Sequence, residues 1–183
     1  MHSVKRLAVI GLQNSGKTRV VEAMVKFWTK NGRRVAVIKH DGHLLRQQPD
    51  DWEKRDSDTY KFASAGAEMT LLAGGGRTLL RRMNDGEVGD VLALCNRLEA
   101  AAQATGRVLD VVVVEGYKAS FLPKIAVLRR PSDIEWLNER HSSVPWLVAA
   151  VCPRALQHLV EVDLQVYDED CIPDLCTDLW ERL

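Results

Sequence analysis

Eight consecutive residues, Gly11-Leu12-Gln13-Asn14-Ser15-Gly16-Lys17-Thr18, satisfy the pattern G-x-x-x-x-G-K-[ST] in full. Each position has a chemical task. The two glycines allow backbone conformations and a close approach that a Cβ would obstruct. Successive amides at Gln13, Asn14 and Ser15, together with the first turn of a following helix, offer partial positive charge to phosphate oxygens. Lys17 adds a full charge at the β and γ phosphates, and the Thr18 hydroxyl is suited to Mg2+, which keeps most of its water and takes one or two protein oxygens. The chemistry expected of this stretch is the binding of a nucleoside triphosphate.

A phosphate loop of this kind needs a carboxylate at the end of a neighbouring strand to hold the metal or its waters. Glu115 closes the run Asp110-Val111-Val112-Val113-Val114-Glu115-Gly116 and is the candidate. Asp110 precedes the same run and is expected at the opposite edge of the sheet. Gly116 suits close approach to the γ-phosphate. Lys118 and Lys124 follow in the next loop as candidate anion contacts, with ordinary solvation as the alternative. The cluster Lys39-His40-Asp41-Gly42-His43 is open to three readings: a metal site from His40, Asp41 and His43, a substrate or effector loop beside the phosphates, or a plain polar loop. Asp56 and Asp58 are candidates for positioning a water or an outer magnesium contact, although Asp58 is equally placed to cap a helix.

These residues require elements that hold them. Leu7 to Ile10 is an unbroken apolar run ending at Gly11, as in a central parallel strand. Val20, Val21, Met24, Phe27 and Trp28 recur at helical spacing, and Asn31-Gly32 stops that helix. Val35 to Ile38 follows as a second strand, completing a βαβ unit. A long polar loop spans 40–53. A short helix is expected at 58–65, a strand at 69–73, a glycine turn at 74–76 and a returning strand at 78–82. Val88, Val91, Leu92, Cys95, Leu98 and Ala102 mark another helix, 108–114 a strand buried on both faces, 125–128 and 146–151 further strands, and Ile172, Leu175, Cys176 and Leu179 a final helix begun near Pro173. The alternation predicts an α/β class, a three-layer P-loop NTPase fold with a mostly parallel, mixed-edge sheet, in one domain over 1–183.

Composition narrows the partners. Lys+Arg and Asp+Glu both number 25, so no global basic field favours nucleic acid and any anion site must be local. Cys95, Cys152, Cys171 and Cys176 form no C-x-x-C pair, and a metal held by Cys171 and Cys176 lacks an evident second pair of ligands. Reduced thiols suit a cytoplasmic location. Lys5-Arg6 before Leu7-Ala8-Val9-Ile10 imitates the start of a signal peptide, but the apolar run is too short, and no stretch approaches the ~20 apolar residues of a membrane span.

The ordered blocks Gly11 to Thr18; Val37-Ile38-Lys39-His40 with His43; Asp58-Thr59-Tyr60-Lys61 leading to Ala65-Gly66-Ala67; Val114-Glu115-Gly116-Tyr117-Lys118; and Pro123-Lys124-Ile125 together resemble the MobB family, GTP-binding accessory proteins of molybdopterin guanine dinucleotide synthesis. The resemblance runs through most of the chain. It implies a P-loop protein that binds GTP with Mg2+, hydrolyses it weakly, forms a homodimer and assists a MobA-like molybdenum-cofactor guanylyltransferase. Under it, Lys17, Asp58 and Glu115 serve catalysis, Thr18 and Glu115 hold the metal, and His40, His43, Lys118 and Lys124 become candidates for contacting molybdopterin or molybdopterin guanine dinucleotide. One departure concerns the base: Ala149-Ala150-Val151-Cys152-Pro153 carries no carboxylate for guanine, and Asp163 or Asp168 is a more distant candidate. The residues alone therefore support a nucleoside triphosphate, and guanine follows from the likeness. The competing readings are an ATP-using small-molecule P-loop kinase, kept open by Arg81-Arg82 and Arg129-Arg130, and a non-enzymatic adapter in which the nucleotide only biases partner contacts.

Overall fold

The structure is a computed structural model, which describes residues 3–39, 57–82 and 90–183. The chain divides into two compact units, one formed by 1–40 with 91–183 and the other by 41–90. In the first unit the strands are β1 (Lys5–Ile10), β2 (Val35–Lys39), β5 (Val111–Glu115), β6 (Lys124–Val127), β7 (Leu147–Val151) and β8 (Val166–Tyr167), and the helices are α1 (Lys17–Lys30), α3 (Val91–Ala104), α4 (Pro131–Arg140) and α5 (Ile172–Arg182). The six strands form one sheet in the order β2-β5-β1-β6-β7-β8, and every pairing in it is parallel.

Strand periodicity sorts the core into two layers. Leu7, Val9, Val111, Val113, Ile125, Val127 and Val151 face Val20, Met24 and Trp28 of α1 and Leu175, Cys176 and Leu179 of α5. Their neighbours Ala8, Ile10, Val112, Val114, Ala126, Ala150 and Cys152 face Val91 and Cys95 of α3 and Ile134 and Leu137 of α4. Successive side chains on a strand point to opposite faces, so an unbroken apolar run is the sequence of a strand covered on both sides. The three-layer, mostly parallel architecture expected above is the one observed. The antiparallel pairing expected at a sheet edge instead forms a separate two-stranded sheet.

That sheet belongs to the second unit. Helix α2 (Asp58–Ser64) starts at Ser57, whose hydroxyl accepts from the Tyr60 amide at 3.1 Å, so the cap is Ser57 and Asp58 takes the first helical turn. Strands β3 (Met69–Gly74) and β4 (Arg77–Arg82) pair antiparallel with Gly74 opposite Arg77. The two-residue loop Gly75-Gly76 has φ of 56° and 72°, the doubly positive backbone of a type I′ hairpin. Leu71, Leu72, Leu79 and Leu80 on this hairpin are exposed.

Two elements carried weak sequence signals and were not expected. Helix α4 is announced only by Pro131 at its first turn, Asp133 two residues on, and the pair Ile134 and Leu137. Strand β8 is two residues long, too short for any periodicity.

Candidate phosphate and magnesium site

The loop between β1 and α1 lies at the carboxyl ends of the parallel strands, where ligands of open α/β sheets bind. Gly11 leaves β1 with φ +155°, and a Cβ there would stand 2.5 Å from Ser15 Oγ and 2.6 Å from the Val127 carbonyl oxygen. No side chain fits, so glycine is required by space as well as by backbone. Asn14 (φ 61°) and Gly16 (φ 93°) complete the left-handed turns that wrap the loop around a central hollow. Ser15 is fully buried, and its hydroxyl has no hydrogen-bond partner among the described residues.

Helix α1 begins at Lys17 with no side-chain cap and no acidic residue in its first turn. Its first amides and its dipole are left for an anion. Helix α4 makes the contrast: Asp133 is fully buried and accepts the Arg129 and Arg130 amides at 3.0 and 2.9 Å. One helix supplies its own carboxylate; the other awaits one from outside.

Lys17 Nζ donates to the Leu12 carbonyl at 2.7 Å and lies 3.4 Å from that of Gly11, folded over the loop. Burial pulls its ammonium below the ordinary lysine value; the charges of Glu115 and Asp133 oppose this, and Lys39 adds to it. Thr18 Oγ1 donates to both carboxylate oxygens of Glu115, at 2.9 and 3.0 Å. Glu115 ends β5, which lies between β1 and β2, opposite Val9 and Lys39 in register. A hydroxyl and a carboxylate this close, at the mouth of a phosphate loop, are hard oxygen donors of the kind Mg2+ takes, one or two from protein and the rest from phosphate and water. Asp110 sits at the other end of β5, where its side chain accepts the Arg34 amide at 2.7 Å, as expected for the amino edge.

The remaining candidates separate. Gly116 (φ 110°) and Tyr117 (φ 56°) turn the chain after β5, and the Gly116 amide is donated to Val9 O at 3.0 Å, so it reaches no phosphate from there. Lys118 Nζ lies 4.6 Å from the Trp136 ring centroid; burial lowers its pKa, and the charges of Lys17 and Arg140 lower it further, which puts it in the field of Lys17. Lys124 differs from its expected role as an anion contact. It is fully buried at the start of β6, and its ammonium donates to the backbone carbonyls of Ser120, Leu122 (2.8 Å) and Pro145 (2.8 Å). A lysine has three protons to donate, and here all three tie loops together. Asp58 lies in the second unit, exposed, in an ion pair with Lys61 at 3.9 Å. His40, Asp41, His43 and Asp56 lie outside the described residues. Among the described residues no group of three or more His, Cys, Asp or Glu is set to hold a metal, and all four cysteines are free thiols.

Two residues named in the sequence take roles there that were not expected of them. Lys39, the charged residue that closes β2, lies beside Glu115 and adds to the positive field around Lys17. Arg130 donates to the Gln13 carbonyl at 3.0 Å and to Asp133 at 3.1 Å, fastening the phosphate loop to α4. Pro131 and Asp133 at the start of α4 were the available signal for it.

Known proteins resemble this chain in sequence and in fold. A family model described as molybdopterin guanine dinucleotide synthesis protein B matches residues 6–152. A probable molybdopterin-guanine dinucleotide biosynthesis adapter protein of Bacillus subtilis is 29% identical over 153 residues, covering 84% of this chain and 78% of that protein. A putative adapter protein of the same name from Methanocaldococcus jannaschii is 30% identical over 144 residues, covering 75% of this chain and 53% of that longer protein. The crystal structure of Bacillus subtilis MobB superposes with a TM-score of 0.71 at 22% identity, over 96% of this chain and 97% of that one, which shows the shared fold. The matched stretch contains the phosphate loop, Glu115 and the Arg130–Asp133 brace together, and the chain belongs to the MobB family.

Proposed function

We propose that this chain binds GTP with Mg2+ at Gly11–Thr18 and Glu115 and acts as an accessory protein to a MobA-like guanylyltransferase in molybdopterin guanine dinucleotide synthesis. The observation that carries the nucleotide part is the Thr18–Glu115 pair, 2.9 Å apart beside an uncapped helix start. Lys17 would neutralise the β and γ phosphates, Thr18 and Glu115 would hold the metal, and the loop amides would take the remaining oxygens. Slow hydrolysis fits the same groups: Glu115 would be committed to the metal beside Thr18, and Arg130 is engaged with Asp133 and Gln13. Neither is left to activate water or to move onto the transferring phosphoryl group. Of the arginines that kept a kinase in view, Arg130 is occupied in this way.

The adapter role rests on the names of the relatives and on the family. The positive field of Lys17, Lys39 and Lys118 suits the anionic pterin precursor or its dinucleotide product, and the exposed leucines of the β3–β4 hairpin suit a homodimer. Free thiols, and no helix among the described residues long and apolar enough to cross a membrane, accord with a cytoplasmic site of action. Isothermal titration with Mg·GTP tests the core of this: the wild-type chain should bind and Lys17→Ala should lose at least about tenfold in affinity, the loss of a charge-assisted contact. Equal affinity in the variant would remove the assignment. For the adapter role, co-purification with a molybdenum-cofactor guanylyltransferase and a gain in its guanylylation yield are expected; no complex and no gain would count against it.

A further inference from the structure

A nucleotide held at Gly11–Thr18 must lead its base away from the metal. Thr18 and Glu115 would hold the metal, and Glu115 ends β5 on one side of β1. On the other side of β1 lie the carboxyl ends of β6, β7 and β8, the side open to the nucleoside. A surface pocket opens there against Gly16 of the loop itself. Its walls are Arg19, Val20 and Ala23 of α1, Arg129 just beyond β6, and Glu169 just beyond β8.

Glu169 sits on a short 3-10 turn that is fixed in place. Asp168 accepts the Arg154 amide at 2.9 Å and the Asp170 amide at 3.1 Å, and its carbonyl accepts the Cys171 amide at 2.9 Å. Asp168, named above as a distant candidate for the base, thus spends its oxygens on backbone amides of its own turn and of Arg154, and Asp163 precedes β8, away from the carboxyl ends of the strands. The Glu169 carboxylate is half-buried and faces the first turn of α1 in a long pair, 3.9 Å from Arg19.

Resting on the reading of this chain as a GTP-binding protein, we propose that Glu169 is the residue that reads guanine. Guanine presents N1–H and N2–H side by side, and an ionised carboxylate is a two-oxygen acceptor with no donor of its own. Adenine turns a lone pair at N1 toward the same carboxylate and is repelled. Val20 and Ala23 give the apolar side of the pocket, and the planar guanidinium of Arg129 offers a face for the purine ring. The site so assembled discriminates without an [N/T]-K-x-D sequence, because the carboxylate comes from the turn after β8.

The test is the affinity of the full chain for Mg·GTP, Mg·ATP and Mg·XTP by isothermal titration, in wild type, E169Q, K17A and the control D170N, which removes a charge from the same turn. Wild type should favour GTP over ATP. E169Q should lose about 10- to 100-fold for GTP, the range of one bidentate base contact, while its ATP affinity holds or rises as the repulsion at adenine N1 is removed. It should also favour XTP over GTP, since a carboxamide accepts from N1–H and donates to the 2-oxo group. D170N should keep the wild-type order. A wild-type chain with no preference for GTP over ATP, or an E169Q variant with the wild-type GTP:ATP ratio, overturns the assignment of Glu169 and leaves nucleotide binding standing. A wild-type chain that binds no nucleotide, or K17A that binds as wild type does, overturns the underlying reading instead.

Discussion

At the scale of single residues, the division of labour between Thr18 and Glu115 depends on charge. The hydroxyl already faces both carboxylate oxygens, so a cation entering between them exchanges one hydrogen bond for coordination and meets a full negative charge. Glu115→Gln keeps the size and removes that charge. It should weaken GTP binding about tenfold in the presence of Mg2+ and leave binding in EDTA nearly unchanged; titrations in both buffers read the difference. A loss of equal size with and without metal would place Glu115 outside the metal shell. Lys124 shows the reverse case: a charged residue shortly after Glu115 in the sequence, yet enclosed by carbonyl oxygens. Its position in the chain resembles a ligand contact, and its surroundings assign it to structure.

At the scale of elements, α1 and α4 solve the same helix-start problem differently. Asp133 satisfies the amides that open α4, and through Arg130 it also holds the Gln13 carbonyl of the phosphate loop. Asp133→Ala would leave the Arg129 and Arg130 amides without their acceptor and release Arg130, so urea unfolding should show a loss of about 1–3 kcal/mol, the cost of part-buried donors losing a charged acceptor. A loss below about 1 kcal/mol would mean that water replaces the carboxylate freely. The pH dependence has a definite sign. Burial pushes the Asp133 carboxyl up, but the Arg130 guanidinium and the Arg129 and Arg130 amides outweigh it and hold the acid below its ordinary 3.8. The unfolded chain then binds this proton at higher pH than the folded one. The stability Asp133 contributes is complete above the ordinary carboxylate range and is lost as pH falls below about 4, through the folded value. Thermal unfolding of wild type should fall in that window, and Asp133→Asn should flatten that part of the profile.

At the scale of the molecule, the second unit carries apolar surface that a two-stranded hairpin cannot bury by itself. Leu71 and Leu80 pair across β3 and β4, and both are more than half exposed. With the homodimer proposed above, Leu71→Lys with Leu80→Lys should halve the mass measured by light scattering while leaving nucleotide affinity intact; a variant that stays dimeric would locate the interface elsewhere. How much of this was legible beforehand follows from how far each feature reaches along the chain. Gly11 to Thr18, the apolar run ending at Glu115, the helical stripe of α1 and the doubled glycine of the hairpin are local patterns, and each is dictated by backbone sterics or by the burial of a repeating face. The sequence by itself therefore determined the α/β class, the conformation-demanding loop Gly11 to Thr18 and the strand end that carries Glu115. Only the tertiary structure decided that β5 inserts between β1 and β2, which brings Glu115 to Thr18 across 97 residues. It likewise decided that Arg130 braces the loop and that the turn after β8 sets Glu169 beside Gly16. Strand order is chosen by the packing of whole faces against helices, an energy spread over dozens of side chains, and no short stretch of residues encodes it.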